Sequence, residues 1–167
     1  IYIFIMMITR NFNINSKLNN KPLCLTIGNF DGVHIGHKFI LNKLIEDSKK
    51  NKLQSSVLSF HPHPRKFFDS NSNNFNIITD MQKKELLDQE GIDIFYILKF
   101  DKNVSSMSPM DFVKNFLINK LNVKSLTIGE NFRFGKDRVG DINLLKEISM
   151  RFNFVLNIVD FAKLSKT

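Results

Sequence analysis

The sequence predicts an α/β fold, a doubly wound and mainly parallel five-stranded sheet with helices on both faces. Three observations predict it. Short apolar runs alternate with amphipathic segments in the order β-α-β-α-β-α-β-α-β. A glycine stands directly after the first and the fourth of those strands, at Gly28 and Gly129. The unusual residues gather in loops that follow strands, and in a parallel sheet those loops form the ligand side.

Each element has its own signal. Pro22 to Ile27 reads as a buried strand stopped by Gly28. His37 to Lys50 reads as a helix, because Phe39, Ile40, Leu44 and Ile45 share a face and Lys49-Lys50 suits the C-terminal end. Ser55 to Phe60 is the second strand. Two prolines in His61-Pro62-His63-Pro64 argue against regular structure there. Asp69 to Asn76 is polar and Asn-rich, hence a loop. Thr79 to Gln89 is a helix with Thr79 and Gln82 spaced as a capping box and Gly91 as its stop. Ile92 to Phe100 is the third strand. Ser108-Pro109 opens a helix that runs to about Leu121. Ser125 to Ile128 is the fourth strand, Asp141 to Phe152 the last helix, and Phe154 to Val159 the fifth strand. Neither an internal repeat nor a domain linker interrupts the series.

Residues 1–20 form an N-terminal extension. The apolar stretch Ile1 to Ile8 is far shorter than the ~20 residues of a membrane span. It lacks a basic region before it and a small-residue cleavage site after it, so it makes a poor signal peptide. The chain starts with Ile, and a start at Met6 or Met7 would make the first residues a translation artefact. The other reading is an N-terminal strand.

Composition narrows the function classes. At 167 residues the chain is the size of one domain. Its 43% hydrophobic and 24% charged residues suit a soluble globular protein rather than a disordered one. The 17 Phe, together with abundant Lys, Asn and Ile, read as A/T-rich codon usage. A net charge of +8 favours polyanionic partners. The basic residues are dispersed, with short doublets such as Lys49-Lys50 and Lys83-Lys84, and make no stripe for a nucleic-acid duplex. No membrane partner is expected. Cys24 is the single cysteine, so no internal disulfide and no thiolate metal cage can form, which fits a reducing cytoplasm. Within Leu23-Cys24-Leu25 it reads as a buried, inert thiol.

The chemistry concentrates in Gly28-Asn29-Phe30-Asp31-Gly32-Val33-His34-Ile35-Gly36-His37. Small residues let a backbone approach phosphate closely, and the helix that follows aims its N–H groups and positive dipole end at the same point. His34 and His37, three apart across Gly36, can both face one group of oxyanions. The string is not a dinucleotide fingerprint, since no G-x-G-x-x-G occurs. Gly129 to Lys136 is not a Walker loop either, because its glycines are one residue too far apart and Asp137 stands where Ser or Thr is needed. A zinc site at His34 and His37 lacks a third ligand nearby, so no metal ligands are assigned.

With these residues in view, GNFDGVHIGH resembles the H-x-G-H signature of the nucleotidylyltransferase superfamily. Three further strings resemble the adenylyltransferase module of bacterial FAD synthetase, the prokaryotic riboflavin kinase/FMN adenylyltransferase. Phe60-His61-Pro62-His63-Pro64 is similar to that family's F-x-P-H-P stretch. Asp111-Phe112-Val113 is similar to part of its S-x-x-x-F-V helix. Ile128-Gly129-Glu130-Asn131-Phe132-Arg133-Phe134-Gly135 is similar to its V-G-x-[DN]-F-x-F-G string. The match runs in order from about Leu25 to Asp160.

The resemblance implies a Rossmann-like fold and the transfer of AMP from ATP to FMN, giving FAD and pyrophosphate. It implies a catalytic group of His34, His37, Asn131 and Arg133. ATP would be held at Gly28, Asn29, Phe30, Asp31, Gly32, Gly36 and Gly129, and at Ser165 and Thr167. Phe60, Pro62, His63 and Pro64 would line the flavin pocket, and Mg²⁺ would bridge the phosphates. Gly135 to Gly140 would add cations near the nucleotide; a plain surface loop is the other reading. The domain would span residues 21–167 and lie in the cytoplasm. Relatives of this kind continue into a riboflavin kinase domain, whereas this sequence stops at Thr167, so a separate riboflavin kinase is the expected partner. Leu164-Ser165-Lys166-Thr167 resembles the beginning of the family's second nucleotide motif, S-S-T-x-x-R, with Lys166 in place of a Ser. An inactive flavin- or nucleotide-binding remnant and another H-x-G-H nucleotidylyltransferase are the alternatives.

Overall fold

A computed structural model describes residues 6–18, 20–32, 34–71 and 78–166. Six parallel strands form one sheet in the order β1-β4-β3-β2-β5-β6. They are β1 (Ile8–Phe12), β2 (Leu23–Ile27), β3 (Gln54–His61), β4 (Ile94–Lys99), β5 (Val123–Gly129) and β6 (Val155–Val159). The expected count of five strands is therefore corrected to six. The extra strand lies inside the region read as an extension, and Ile8 to Phe12 pair with Ile94 to Leu98 at the sheet edge. Its sequence, ITRNF, places three consecutive polar residues in five on a half-exposed edge, so neither the alternation of a surface strand nor the apolar run of a buried one announces it.

The central strands alternate between two cores. Leu25, Leu58 and Tyr96 point to one face, while Cys24, Val57 and Phe95 point to the other. On the first face lie α5, which begins at Pro109–Asp111, and α6 (Ile142–Phe152). On the second lie α1 (Ile35–Asn51) and α3 (Asp80–Gln89). Helices thus cover both faces, as parallel strands buried on both sides require.

Local chemistry sets the helix ends. Thr79 and Gln82 form the expected capping box, with Thr79 accepting from the Gln82 N–H and Gln82 accepting from the Thr79 N–H. Gly91, at φ +88, closes α3 with its N–H on the Asp88 carbonyl and the Ile92 N–H on that of Leu87. Asp141 caps α6 through the Leu144 N–H.

Three expectations need correction. The two prolines do not exclude regular structure after β3, because Pro64 occupies the first position of a short helix, α2 (Pro64–Phe68), where a missing N–H costs nothing. A second short helix, α4 (Lys102–Ser105), forms where none was expected. The helix opened by Ser108 widens to a π-type register over Phe112–Lys120, where the Leu121 N–H reaches the Phe116 carbonyl. Cys24 is fully buried, and burial followed by the charge of Asp47 pushes its thiol up to about 12. The stretch from Asp69 to Asn76 lies mostly outside the described residues.

Strand order fixes where ligands can sit. From β2 the chain runs outward to β3 and β4, then returns to place β5 on the other side of β2. The connections leaving β2 and β5 diverge, so their carboxyl ends frame a crevice.

Candidate active site at the carboxyl ends of the strands

A cleft of about 1150 Å³ opens at that end of the sheet. It is lined by Gly28, Asn29 and Asp31 after β2, by Phe60, His63 and Pro64 after β3, by Phe100 after β4, and by Asn131 and Arg133 after β5. Eight of the residues singled out in the sequence therefore meet in one cavity, although they come from three separate loops.

The first loop turns back on itself with left-handed backbone at Phe30 (φ 48) and Gly32 (φ 60). The Phe30 ring is buried beneath the loop rather than facing the cleft. It explains Gly28, where a Cβ would come 3.0 Å from that ring. His34 caps α1, its Nδ1 accepting the Gly36 N–H at 3.2 Å, so the neutral ring carries its proton on Nε2. This cap starts α1 two residues earlier than the apolar periodicity suggested. The His34 and His37 rings stack with centroids 3.7 Å apart. Burial, then the neighbouring His34, lowers His37 from 6.5 to about 4. At neutral pH His37 is an uncharged imidazole beside a helix N-terminus.

The second loop begins with a cis His61-Pro62 bond. His63 caps α2, its Nδ1 accepting the Arg65 N–H at 3.1 Å. Its Nε2 lies 2.9 Å from Asn29 Nδ2. With Nδ1 accepting, the proton of the neutral ring belongs on Nε2, and the Asn29 oxygen is the group it needs to face. The second loop is thereby tied to the first. Burial lowers the pKa of His63.

Phe60, expected at the flavin pocket, belongs to a larger aromatic wall whose other members the sequence reading did not assign. Phe60 and Phe67 each meet the Phe100 ring edge-on, at 5.6 and 5.3 Å, and Phe68 adds its edge at 6.0 Å. Across the cleft Phe132 and Phe134 stack at 5.7 Å. The signal was the count of 17 Phe, which codon usage seemed to explain.

After β5, Arg133 lies 3.8 Å from Asp141, and Arg138 lines the same cleft. Both arginines also line a smaller polar cavity of about 430 Å³ with Glu130 and Asn143. The loop from Gly135 to Gly140 is pinned at both ends. Phe134 and Gly140 exchange backbone hydrogen bonds, and a Cβ on Gly140 would lie 2.7 Å from the Phe134 carbonyl oxygen.

Phe30, Gly32, His34, Gly36, His37, Pro62 and Gly129 do not line this cavity. Gly36 and Gly129 hold the Phe161 ring between them, where methyl groups would come 3.2 and 2.7 Å from it. Pro62 sits in the turn before α2. Of Ser165 the backbone alone is described, in a 3₁₀ turn, and Thr167 lies outside the described residues. The sequence reading also passed over Lys83, buried on α3 with Nζ 3.6 Å from Asp31. Among the described residues no helix is long and apolar enough to cross a membrane.

Comparison with known proteins places this geometry. The FAD synthetase family model matches residues 16–167. A bifunctional riboflavin kinase/FMN adenylyltransferase of Buchnera aphidicola subsp. Schizaphis graminum is 41% identical over 84% of this chain and 45% of its own length. Proteins of the same name from Buchnera aphidicola subsp. Acyrthosiphon pisum and Escherichia coli K12 are 35% and 33% identical, over 96% and 89% of this chain. The chain spans about half the length of these relatives. A solved structure described as a macrolide-efflux protein from Streptococcus pneumoniae superposes with a TM-score of 0.80 at 23% identity, over 92% of this chain and 50% of that one. That likeness concerns the fold alone.

Proposed function

Because the chain belongs to the FAD synthetase family, we propose that residues 21–167 form an FMN adenylyltransferase unit, which moves AMP from ATP to FMN and releases pyrophosphate. One observation carries the reading. A single cleft at the switch point of the sheet brings together the loop that leads into α1, Arg133 and Arg138, and an aromatic wall. Those three features answer a triphosphate, a charged transition state and a planar ring system.

In the reaction, an oxygen of the FMN phosphate forms a bond to the α-phosphorus of ATP. The bond from that phosphorus to the bridging oxygen of the β-phosphate breaks, and the electron pair leaves with pyrophosphate. The nucleophile is already ionised, so positioning and charge stabilisation supply most of the acceleration.

Gly28, Asn29, Gly32 and Gly36 would let the triphosphate approach the start of α1. His34 and His37 would donate to its oxygens, and Asn131 and Arg133 would meet the charge that builds as pyrophosphate leaves. Phe60, Pro62, His63 and Pro64, joined by Phe100, would flank the flavin. Mg²⁺ enters as part of the Mg-ATP substrate. Among the described residues no group of three His, Cys, Asp or Glu side chains converges to hold a cation, and the ion would be held by phosphate oxygens and water, as Mg²⁺ prefers. These substrates put the reaction in the cytoplasm, with FMN supplied by a riboflavin kinase.

The test is FAD formation from FMN and Mg-ATP, resolved by chromatography, with riboflavin plus Mg-ATP as the control. FAD from FMN is expected. Binding of both substrates without FAD would replace the reading by a binding remnant, and binding of neither would remove it.

A further inference from the structure

Helix α3 carries a charge where its periodicity calls for an apolar residue. Its inward face is Leu87 and, one turn earlier, Lys83, whereas the adjacent Lys84 is exposed. The Lys83 side chain is 4% exposed. A buried ammonium is costly unless paired, and the partner here is Asp31, with Nζ 3.6 Å from Oδ1. That distance is an ion pair longer than a direct hydrogen bond. The Asp31 oxygen is itself buried with no hydrogen-bond partner, so Lys83 is what offsets its charge.

Asp31 sits at the tightest point of the first loop, between the left-handed residues Phe30 and Gly32. A left-handed Phe persists only where its surroundings over-determine it. Two fastenings do so. The buried Phe30 ring packs against His37, with centroids 4.8 Å apart, and the Asp31 carboxylate is tied to α3. Asp31 also lines the cleft, where an uncompensated carboxylate would repel a polyanion. Its charge and that of Lys83 act on His37 and His63 in opposite directions.

Resting on the nucleotide reading of this cleft, we propose that Lys83 is a positioning residue of the nucleotide site. Its buried ammonium anchors and neutralises Asp31, so that the first loop is set for a nucleoside triphosphate. Lys83 itself stays under the loop and touches no phosphate.

The experiment is a double-mutant cycle on the whole chain. Mg-ATP and FMN affinities are read by calorimetry, and FAD formation is followed in parallel, for wild type, Lys83→Met, Asp31→Asn and the double variant. Lys83→Met is expected to weaken Mg-ATP by at least ~10-fold and leave FMN affinity within about threefold. In the Asp31→Asn background the same change is expected to be silent, within about threefold. Equal loss of Mg-ATP affinity in both backgrounds would overturn the proposal, since Lys83 would then act on the phosphates or on general packing. A folded Lys83→Met protein with wild-type Mg-ATP affinity, or with FMN affinity equally reduced, would overturn it as well. If Lys83→Met does not fold, the comparison of Asp31→Asn with the charge-free double variant decides: a double variant binding Mg-ATP more weakly refutes the anchoring role. Absence of FAD from the wild type removes the adenylyltransferase reading alone, because the Mg-ATP affinities still decide Lys83. A wild type that binds no Mg-ATP removes both.

Discussion

If His37 faces the triphosphate, Mg-ATP binding must be linked to a proton. Burial and the stacked His34 hold the imidazole at about 4 instead of 6.5, so it is neutral at pH 7. A polyanion at the start of α1 favours the imidazolium. Linkage then requires that protons tighten the ligand as the ligand tightens the proton. Should the triphosphate restore the ordinary value, the gap from about 4 to 6.5 makes Mg-ATP bind ~30-fold more tightly near pH 5 than near pH 8. The assay is titration calorimetry in two buffers of different ionisation enthalpy, with wild type and His37→Gln. Protonation of ATP itself is common to both proteins, so their difference isolates His37. Proton uptake in the wild type and its loss in His37→Gln are expected. The same pH slope in both would refute the assignment of His37 to the phosphates. The depressed value also sets the sign for stability. Below the unfolded value of 6.5 the unfolded chain binds the proton that folded His37 refuses until about 4. The contribution is therefore intact above pH 6.5 and is lost as pH falls toward 4.

Three other perturbations probe the same architecture. Phe100→Ala removes the ring that Phe60, Phe67 and Phe68 all meet; a loss of roughly 1–2 kcal/mol in FMN binding, about 5- to 30-fold by flavin fluorescence, is expected with Mg-ATP affinity unchanged. Unaltered FMN affinity would put the flavin elsewhere. Gly140→Ala drives a methyl to 2.7 Å from the Phe134 carbonyl oxygen, backbone that cannot yield cheaply, so about 1–3 kcal/mol of stability and roughly 2–12 °C in Tm should be lost. A wild-type melting curve would show that the Phe134–Gly140 pairing is dispensable. Cys24, with its thiol pushed up to about 12, should resist a disulfide reagent in the native protein at neutral pH and react fully on unfolding. Rapid native labelling would contradict its burial.

Local rules made most of the fold legible. Thr79, Gln82 and Gly91 marked both ends of α3 because capping chemistry lies within a few residues of the chain. The alternation of apolar runs with helical faces led to a parallel sheet, since each strand had to be buried on both sides. Where tertiary context decides, sequence reasoning failed. Ile8–Phe12 becomes a strand because the β4 edge is there to pair with, and nothing in ITRNF states that. The Pro64 helix was hidden by a rule that holds for helix interiors and reverses at the first turn.

The site divides along the same line. The glycines and histidines of residues 28–37 serve no packing purpose that a sequence reader can find, so they announced a ligand. Lys83 and the Phe100 wall were camouflaged by composition. One lysine among many in a chain of net charge +8, and one phenylalanine among 17, look like background until burial is known. Lys83 sits at a helix position whose period assigns it inward and Phe100 just beyond the end of β4, and period alone cannot distinguish a core filler from a working side chain. For Phe the two roles coincide, since the ring packs and also walls the cleft. For Lys they cannot coincide, because an ammonium contributes nothing to an apolar core. An inward lysine one turn before an inward leucine is therefore the more informative signal. It could have been read from the α3 face alone, had the face been checked for charges as well as for apolar residues.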